Sequence, residues 1–227
     1  AAGWRDLTLA VPLAPGRLAR VMALMARVDV LNLLLDHQDM ASKLAEAGAV
    51  RGRPVPVFLK VDCGYGRAGV DPESSTGLAL ARWLHENPNL DFRGLLAHGG
   101  HAYHCVGREA IKVVAEEERT VTVDFAERLR AEGISVPEVS VGSTPTMSVA
   151  DDLTGVTEVR PGNYAFFDLF QAKIGSCSIE DVAFSVLTEV IGVYPQRGQV
   201  IIDAGAIALS KDGGATHVDH QNEFGAI

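Results

Sequence analysis

Cysteine is scarce in this 227-residue chain: Cys63, Cys105 and Cys177 are an odd number with no paired spacing. That argues against a disulfide framework and for a reducing, cytoplasmic setting. Positive charge is also in short supply. The 20 basic residues face 29 acidic ones, for a net charge of −9 and a pI near 5.2, a balance that suits neither a nucleic-acid groove nor an anionic membrane surface. No stretch is long and apolar enough to span a bilayer, and no charged-then-apolar segment opens the chain as a signal peptide would. An initiating methionine is missing as well, the first residue being Ala1. The composition, 47% hydrophobic and 22% charged, can bury a substantial core and points to a globular protein whose partner is a small molecule.

Short apolar runs alternate with helical patterns along most of the chain. Strands are expected at Asp6–Val11, Val30–Leu35, Val55–Asp62, Phe92–Ala97, Glu138–Val141 and Thr157–Arg160. Helices are expected between them, at Pro15–Val28, Gln38–Ala47 with Gly48 as its C-terminal cap, Pro72–Asn87 and Glu109–Glu132. Repeated βα units imply a parallel sheet, either an open doubly wound sheet or a (β/α)8 barrel, and six strands are two short of a closed barrel. After Phe184 the pattern turns β-rich without helices, at Phe184–Val193 and Val200–Asp203, as at the start of an antiparallel domain. The expected division is residues 1–182 and 183–227.

Four places carry chemistry. Val55–Val70 (VPVFLKVDCGYGRAGV) is a buried strand that breaks into a glycine loop holding Arg67, a guanidinium able to donate to an oxyanion or to pair with Asp62 or Asp71. Its G-x-G-x-x-G spacing is a weak dinucleotide signal, because Val70-Asp71-Pro72 delays the helix beyond the glycines. His98-Gly99-Gly100-His101-Ala102-Tyr103-His104-Cys105 packs three histidines and a cysteine into a post-strand loop. A catalytic or cofactor-stacking His98 at the strand end is preferred there over a zinc site on a flexible glycine loop. Val141-Gly142-Ser143-Thr144-Pro145-Thr146 is a turn that presents N–H groups and hydroxyls to an anion, or serves as a plain helix cap. Glu158-Val159-Arg160-Pro161-Gly162-Asn163-Tyr164 offers a second such cup. Two cups on successive strands favour the barrel.

As a set and in order, these motifs, with Ile202-Asp203-Ala204-Gly205 and Leu209-Ser210-Lys211-Asp212, resemble those of the D-threonine aldolase and D-serine dehydratase family. That family shares with alanine racemase a barrel that binds pyridoxal 5′-phosphate. The resemblance implies that Arg67 approaches the phenolic oxygen of the cofactor and that His98 lies against its ring. Ser143 and Thr144, with the N–H groups of Gly162 and Asn163, would hold the phosphate. Arg160 matches the arginine at the ring nitrogen in the racemases, and Tyr103 and Tyr164 would wall the pocket. The implied activity is a lyase acting on D-β-hydroxy amino acids, of the aldolase or dehydratase type, assisted by a divalent metal such as Zn or Mn and homodimeric when complete. A racemase of the same fold and a catalytically inactive phosphate- or pyridoxal-phosphate-binding fragment are the alternatives.

Two parts of the family pattern are not matched. The Schiff-base lysine, which stands on the first barrel strand, is expected upstream of Ala1, and the metal ligands are expected beyond Ile227. Lys60 ends a strand, yet it matches a different motif and is not assigned the Schiff-base role.

Overall fold

The computed structural model describes residues 3–209 and 211–219. Residues 1–2, Ser210, within the second C-terminal motif quoted above, and residues 220–227 lie outside that range. Six strands, β1 (Asp6–Pro12), β2 (Val30–Leu35), β3 (Val55–Lys60), β4 (Leu90–Leu96), β5 (Glu138–Val141) and β6 (Glu158–Val159), form one sheet. They are hydrogen-bonded in sequence order and every neighbouring pair is parallel. The sheet is curled into a half-barrel, with β1 and β6 as its edges. Between the strands run α1 (Leu18–Met25), α2 (Gln38–Arg51), α3 (Ser75–Glu86), α4 (Arg108–Ala131) and α5 (Thr144–Val149), and α6 (Leu169–Ile174) follows β6.

Side chains alternate across a strand, so each strand presents two different faces. Leu33, Leu35, Val57, Leu59, Leu95 and Val139 face the helices and pack with Leu44, Leu80, Leu84, Phe125 and Leu129 in the main core. The intervening residues Leu34, Phe58 and Leu96 form a separate, fully buried layer, in which Leu34 stands opposite Phe58 across the β2–β3 ladder. Full burial of each such side chain stabilises the fold by about 1.5–3 kcal/mol. Two residues beyond Phe58 and Leu96 on the same sides come Lys60 and His98, which the strand period therefore delivers together to the concave side at the carboxyl ends.

Several expected boundaries shift for identifiable reasons. Gly48 does not cap α2: the helix runs on to Arg51, and Gly52, in the left-handed conformation at φ 68°, ends it. Gly48 is needed where α2 crosses the turn before β4, since a Cβ there would stand 2.3 Å from the Asn89 carbonyl oxygen. The third helix begins at Ser75 and not at Pro72, because the Ser74 side chain accepts from the Gly77 N–H as N-cap. The β-rich segment is shorter than expected: residues 184–189 are not strand, and β7 (Val190–Tyr194) pairs antiparallel with β8 (Gln199–Ile202) around a turn closed by Gly198. No helix among the described residues is long and apolar enough to cross a membrane.

Candidate active site

The concave side of the half-barrel holds a cavity of about 1010 Å³. Near the carboxyl ends of the strands its lining residues include Lys60, Arg67, His98, Tyr103, Ser143, Arg160 and Gly162, while Asp6, Glu138 and Glu158 line it where β1, β5 and β6 begin. The carboxyl end is thus lined by cations, whereas at the other end Glu138 is paired with Arg93. Parallel α/β sheets place their sites at the carboxyl ends of the strands.

The glycine loop after β3 is built by carboxylates. Asp62 Oδ1 accepts from the N–H groups of Gly64 (3.1 Å) and Gly66 (3.0 Å), and Asp36 Oδ2 accepts from Gly69 (3.0 Å). Gly64, Gly66 and Gly69 all have positive φ, and at Gly69 a Cβ would also strike the Asp62 nitrogen at 2.5 Å. These amides are already engaged by carboxylates and α3 starts only at Ser75, so the loop is not built as a dinucleotide cradle. Asp62 and Asp71 are occupied with backbone N–H groups, and Arg67 instead lies over the Tyr65 ring, its guanidinium carbon 4.9 Å from the centroid.

The loop after β4 is packed where flexibility was expected. Gly99 and Gly100 are buried, since a Cβ on Gly99 would meet Glu118 Oε2 at 3.2 Å and one on Gly100 would meet the Tyr65 ring at 2.5 Å. The three histidines diverge. His98 enters the cavity with its Nδ1 3.1 Å from the Gly142 carbonyl oxygen, His101 stacks with Tyr65, and His104 meets His217 edge-on. A carbonyl only accepts, so Nδ1 carries the proton and Nε2 is the acceptor of the neutral ring. Burial pulls the His98 pKa below its ordinary value, against the opposing pull of the Gly142 hydrogen bond and Glu118. Tyr103 packs between His98 and Phe170, and burial raises its pKa.

Ser143 caps α5 through a capping box: its hydroxyl accepts from the Thr146 N–H at 3.2 Å, and the Thr146 hydroxyl accepts from the Ser143 N–H at 2.9 Å. The Asn163 N–H, expected at a phosphate, instead donates to Thr144 Oγ1 at 2.9 Å, which ties the exits of β5 and β6 together. Thr144, Asn163 and Tyr164 are not among the residues lining the cavity, and Tyr164 is 59% exposed. Gly162 does line it, and a Cβ there would meet only Thr144 Oγ1, at 3.8 Å. Arg160 is anchored by Nε to Ser140 Oγ at 2.7 Å and by Nη2 to the Ala97 carbonyl; burial lowers its pKa, and Glu118 and Glu158 oppose that.

Two further residues belong to this site, Lys60, which the sequence left without a role, and Glu118, which it did not mark. Lys60, 6% exposed, lines the cavity, and burial lowers its pKa to about 8; the i, i+2 step from Phe58 was the available signal. Glu118, fully buried on α4, accepts from the N–H groups of Gly99 (2.7 Å) and Gly142 (2.9 Å) through Oε1. Nothing in its Glu-Glu-Glu context marked it.

Fold and cavity together define an α/β half-barrel with a cationic, hydroxyl-lined site at the carboxyl ends of its strands. The chain belongs to the alanine racemase N-terminal domain family, whose sequence model matches residues 10–169; a serine dehydratase domain model matches residues 183–226. D-threo-3-hydroxyaspartate dehydratase of Delftia sp. is 41% identical over 228 residues, covering 100% of this chain and 60% of that protein. D-serine dehydratase of Dictyostelium discoideum is 35% identical over 239 residues, 99% of this chain and 60% of that protein. D-threonine aldolase of Arthrobacter sp. is 30% identical over 210 residues, 90% and 54% respectively. A solved variant of D-threo-3-hydroxyaspartate dehydratase in its metal-free form superposes with a TM-score of 0.91 at 42% identity, over 96% of this chain and 57% of that one. The chain therefore spans about 60% of the length of the first two relatives.

Proposed function

We propose that the cavity binds pyridoxal 5′-phosphate and that the chain contributes it to a lyase acting on D-β-hydroxy amino acids, of the dehydratase type with the aldolase type as the alternative. The observation that carries this is the convergence of Arg67, His98, Tyr103, Ser143, Arg160 and Gly162 on one cavity. The residues suit a phosphorylated aromatic ring: the guanidinium groups of Arg67 and Arg160 for its anionic groups, Tyr103 as an apolar wall, and at Gly162 a backbone that nothing closer than 3.8 Å shields. The dehydratase and aldolase relatives support the reaction class.

When bound, the cofactor supplies an electron-withdrawing ring that stabilises negative charge at the substrate α-carbon. The chain's own residues bind and orient. Ser143 Oγ and the Gly162 N–H hold the phosphate, and Thr144 and Asn163 support them by joining the β5 and β6 exits. Arg67 donates to the phenolic oxygen, as the resemblance implies. His98 lies against the ring with Nε2 as a proton acceptor. Arg160, fixed by Ser140 and Ala97, disfavours a proton on the ring nitrogen. Tyr103 excludes water on one side, and Tyr164 belongs to the outer rim. Residues 1–182 would form the barrel portion and 183–227 the start of the second domain. The assembled enzyme would be a cytoplasmic homodimer with a divalent metal, a setting in keeping with three free cysteines.

The test is binding of 4′-deoxypyridoxine 5′-phosphate, which lacks the aldehyde and so forms no adventitious imines. Calorimetric titration measures the affinity. The phosphorylated analogue should bind at least about tenfold tighter than 4′-deoxypyridoxine, since each charge-assisted hydrogen bond contributes about 1.5–3 kcal/mol. Equal affinity of the two overturns the reading.

A further inference from the structure

Glu118 is an expensive residue to place where it stands. It lies two-fifths of the way along α4, is fully buried, and forms no ion pair among the described residues. A carboxylate taken out of water costs several kcal/mol unless its surroundings compensate. A helix needs no carboxylate at this depth for packing.

Its surroundings explain the position. Oε1 accepts from two backbone N–H groups on different loops, Gly99 at 2.7 Å after β4 and Gly142 at 2.9 Å after β5. Each of these glycines adjoins a cavity residue, Gly99 following His98 and Gly142 preceding Ser143. Gly142 is held from both sides: its N–H donates to Glu118, and its carbonyl accepts from His98 Nδ1 at 3.1 Å. A Cβ on Gly99 would press on Glu118 Oε2 at 3.2 Å, so the close approach requires glycine there. Oε2 has no hydrogen-bond partner, but the charge is balanced at longer range, since Glu118 raises the pKa values of Lys60, His98 and Arg160.

We propose that Glu118 is the positioning residue of this site: one buried carboxylate ties the exits of β4 and β5 together, and through Gly142 it holds His98 in the Nδ1–H tautomer and sets the Ser143 cup beside it. Glu118 touches neither substrate nor cofactor in this account. The part of the inference that concerns ligand binding rests on the cofactor reading above. The part that concerns His98 does not.

The experiment compares the 227-residue chain with its Glu118→Gln and Glu118→Leu variants, without ligand and then with 4′-deoxypyridoxine 5′-phosphate. Long-range proton–nitrogen correlation spectra report the His98 tautomer, and hydrogen exchange reports the Gly99 and Gly142 amides. Glutamine keeps a carbonyl oxygen for both amides, so E118Q should retain the Nδ1–H tautomer and protect both amides to within about tenfold of the parent. E118L should show a mixed tautomer and exchange both amides at least about 100-fold faster, with the Leu33 and Leu59 amides of the sheet unchanged. It should also bind the analogue at least about tenfold more weakly. Parental tautomer and parental exchange in E118L overturn the proposal. If E118L does not fold, Glu118→Asp decides: one methylene shorter, it should lose protection at one glycine amide or the other, and full protection of both overturns the proposal. A parent chain that binds no analogue defeats the cofactor reading, and the ligand-free measurements still judge Glu118.

Discussion

Replacing Lys60 with methionine should make the protein more stable, and the gain should vanish with pH in a defined window. Lys60 ends β3, is 6% exposed, and its side chain forms no ion pair or hydrogen bond among the described residues. Burial is the largest influence on its ammonium group; Arg160 and Arg67 add to that depression, and Cys63 and Glu118 oppose it, leaving a pKa of about 8 against an ordinary 10.5. Between those two values the unfolded chain holds a proton that the folded chain has released, so stability rises with pH across the interval. Below pH 8 the folded state carries the whole penalty, on the order of 3 kcal/mol at about 1.36 kcal/mol per pH unit. Methionine has a similar unbranched stem and no charge. K60M is therefore expected to exceed the parent by on the order of 1–3 kcal/mol at pH 7, and to match it near pH 10.5. Urea unfolding of both chains at steps from pH 7 to 10.5 measures the difference, in which the titrating groups not coupled to Lys60 cancel. A difference that does not change with pH refutes the burial argument. The same lysine is a cation held ready for an anion, so K60M should bind the phosphorylated analogue more weakly even as it melts higher.

Other consequences are smaller and local. Gly48→Ala gains helix propensity of up to about 1 kcal/mol but sets a Cβ 2.3 Å from the Asn89 oxygen, an overpacking that costs about 1–3 kcal/mol; the net should be a lower melting temperature, and a higher one contradicts the packing of α2 on the β4 turn. Asp62→Ala leaves the Gly64 and Gly66 amides without their acceptor and should cost about 1–2 kcal/mol, most of which Asp62→Asn restores in urea titrations because Oδ1 remains. Ser143→Ala removes the N-cap of α5, for about 1 kcal/mol of stability, and should weaken phosphate-analogue binding as well; unchanged affinity would remove Ser143 from the cup.

Most of the sheet was legible because a parallel strand buried on both faces writes a near-continuous apolar run, and Val30–Leu35 and Glu138–Val141 appear as read. The site motifs at His98, Ser143 and Arg160 were legible because each follows a strand. Legibility failed where distant chain decides a residue's role. Gly48 looks like a cap until Asn89 is known to pass beside it. Glu118 sits in Glu116-Glu117-Glu118, which reads as a solvated face. Glu116 pairs with Arg119 at the surface, Glu117 is half exposed, and only Glu118 turns inward, a difference set by where β4 and β5 end. The G-x-G-x-x-G loop misleads for a related reason: its amides are engaged by Asp62 and Asp36, and Asp36 lies 33 residues away.

The most direct measurement for the central claim is a map of backbone amide shifts on adding 4′-deoxypyridoxine 5′-phosphate to the labelled chain. The account predicts shifts at Arg67, His98 to Tyr103, Ser143 and Arg160 to Gly162, with the opposite end of the sheet, at Arg51 and Arg53, unmoved. Shifts centred on that opposite end, or none at Ser143 and Gly162 under saturating analogue, would contradict it.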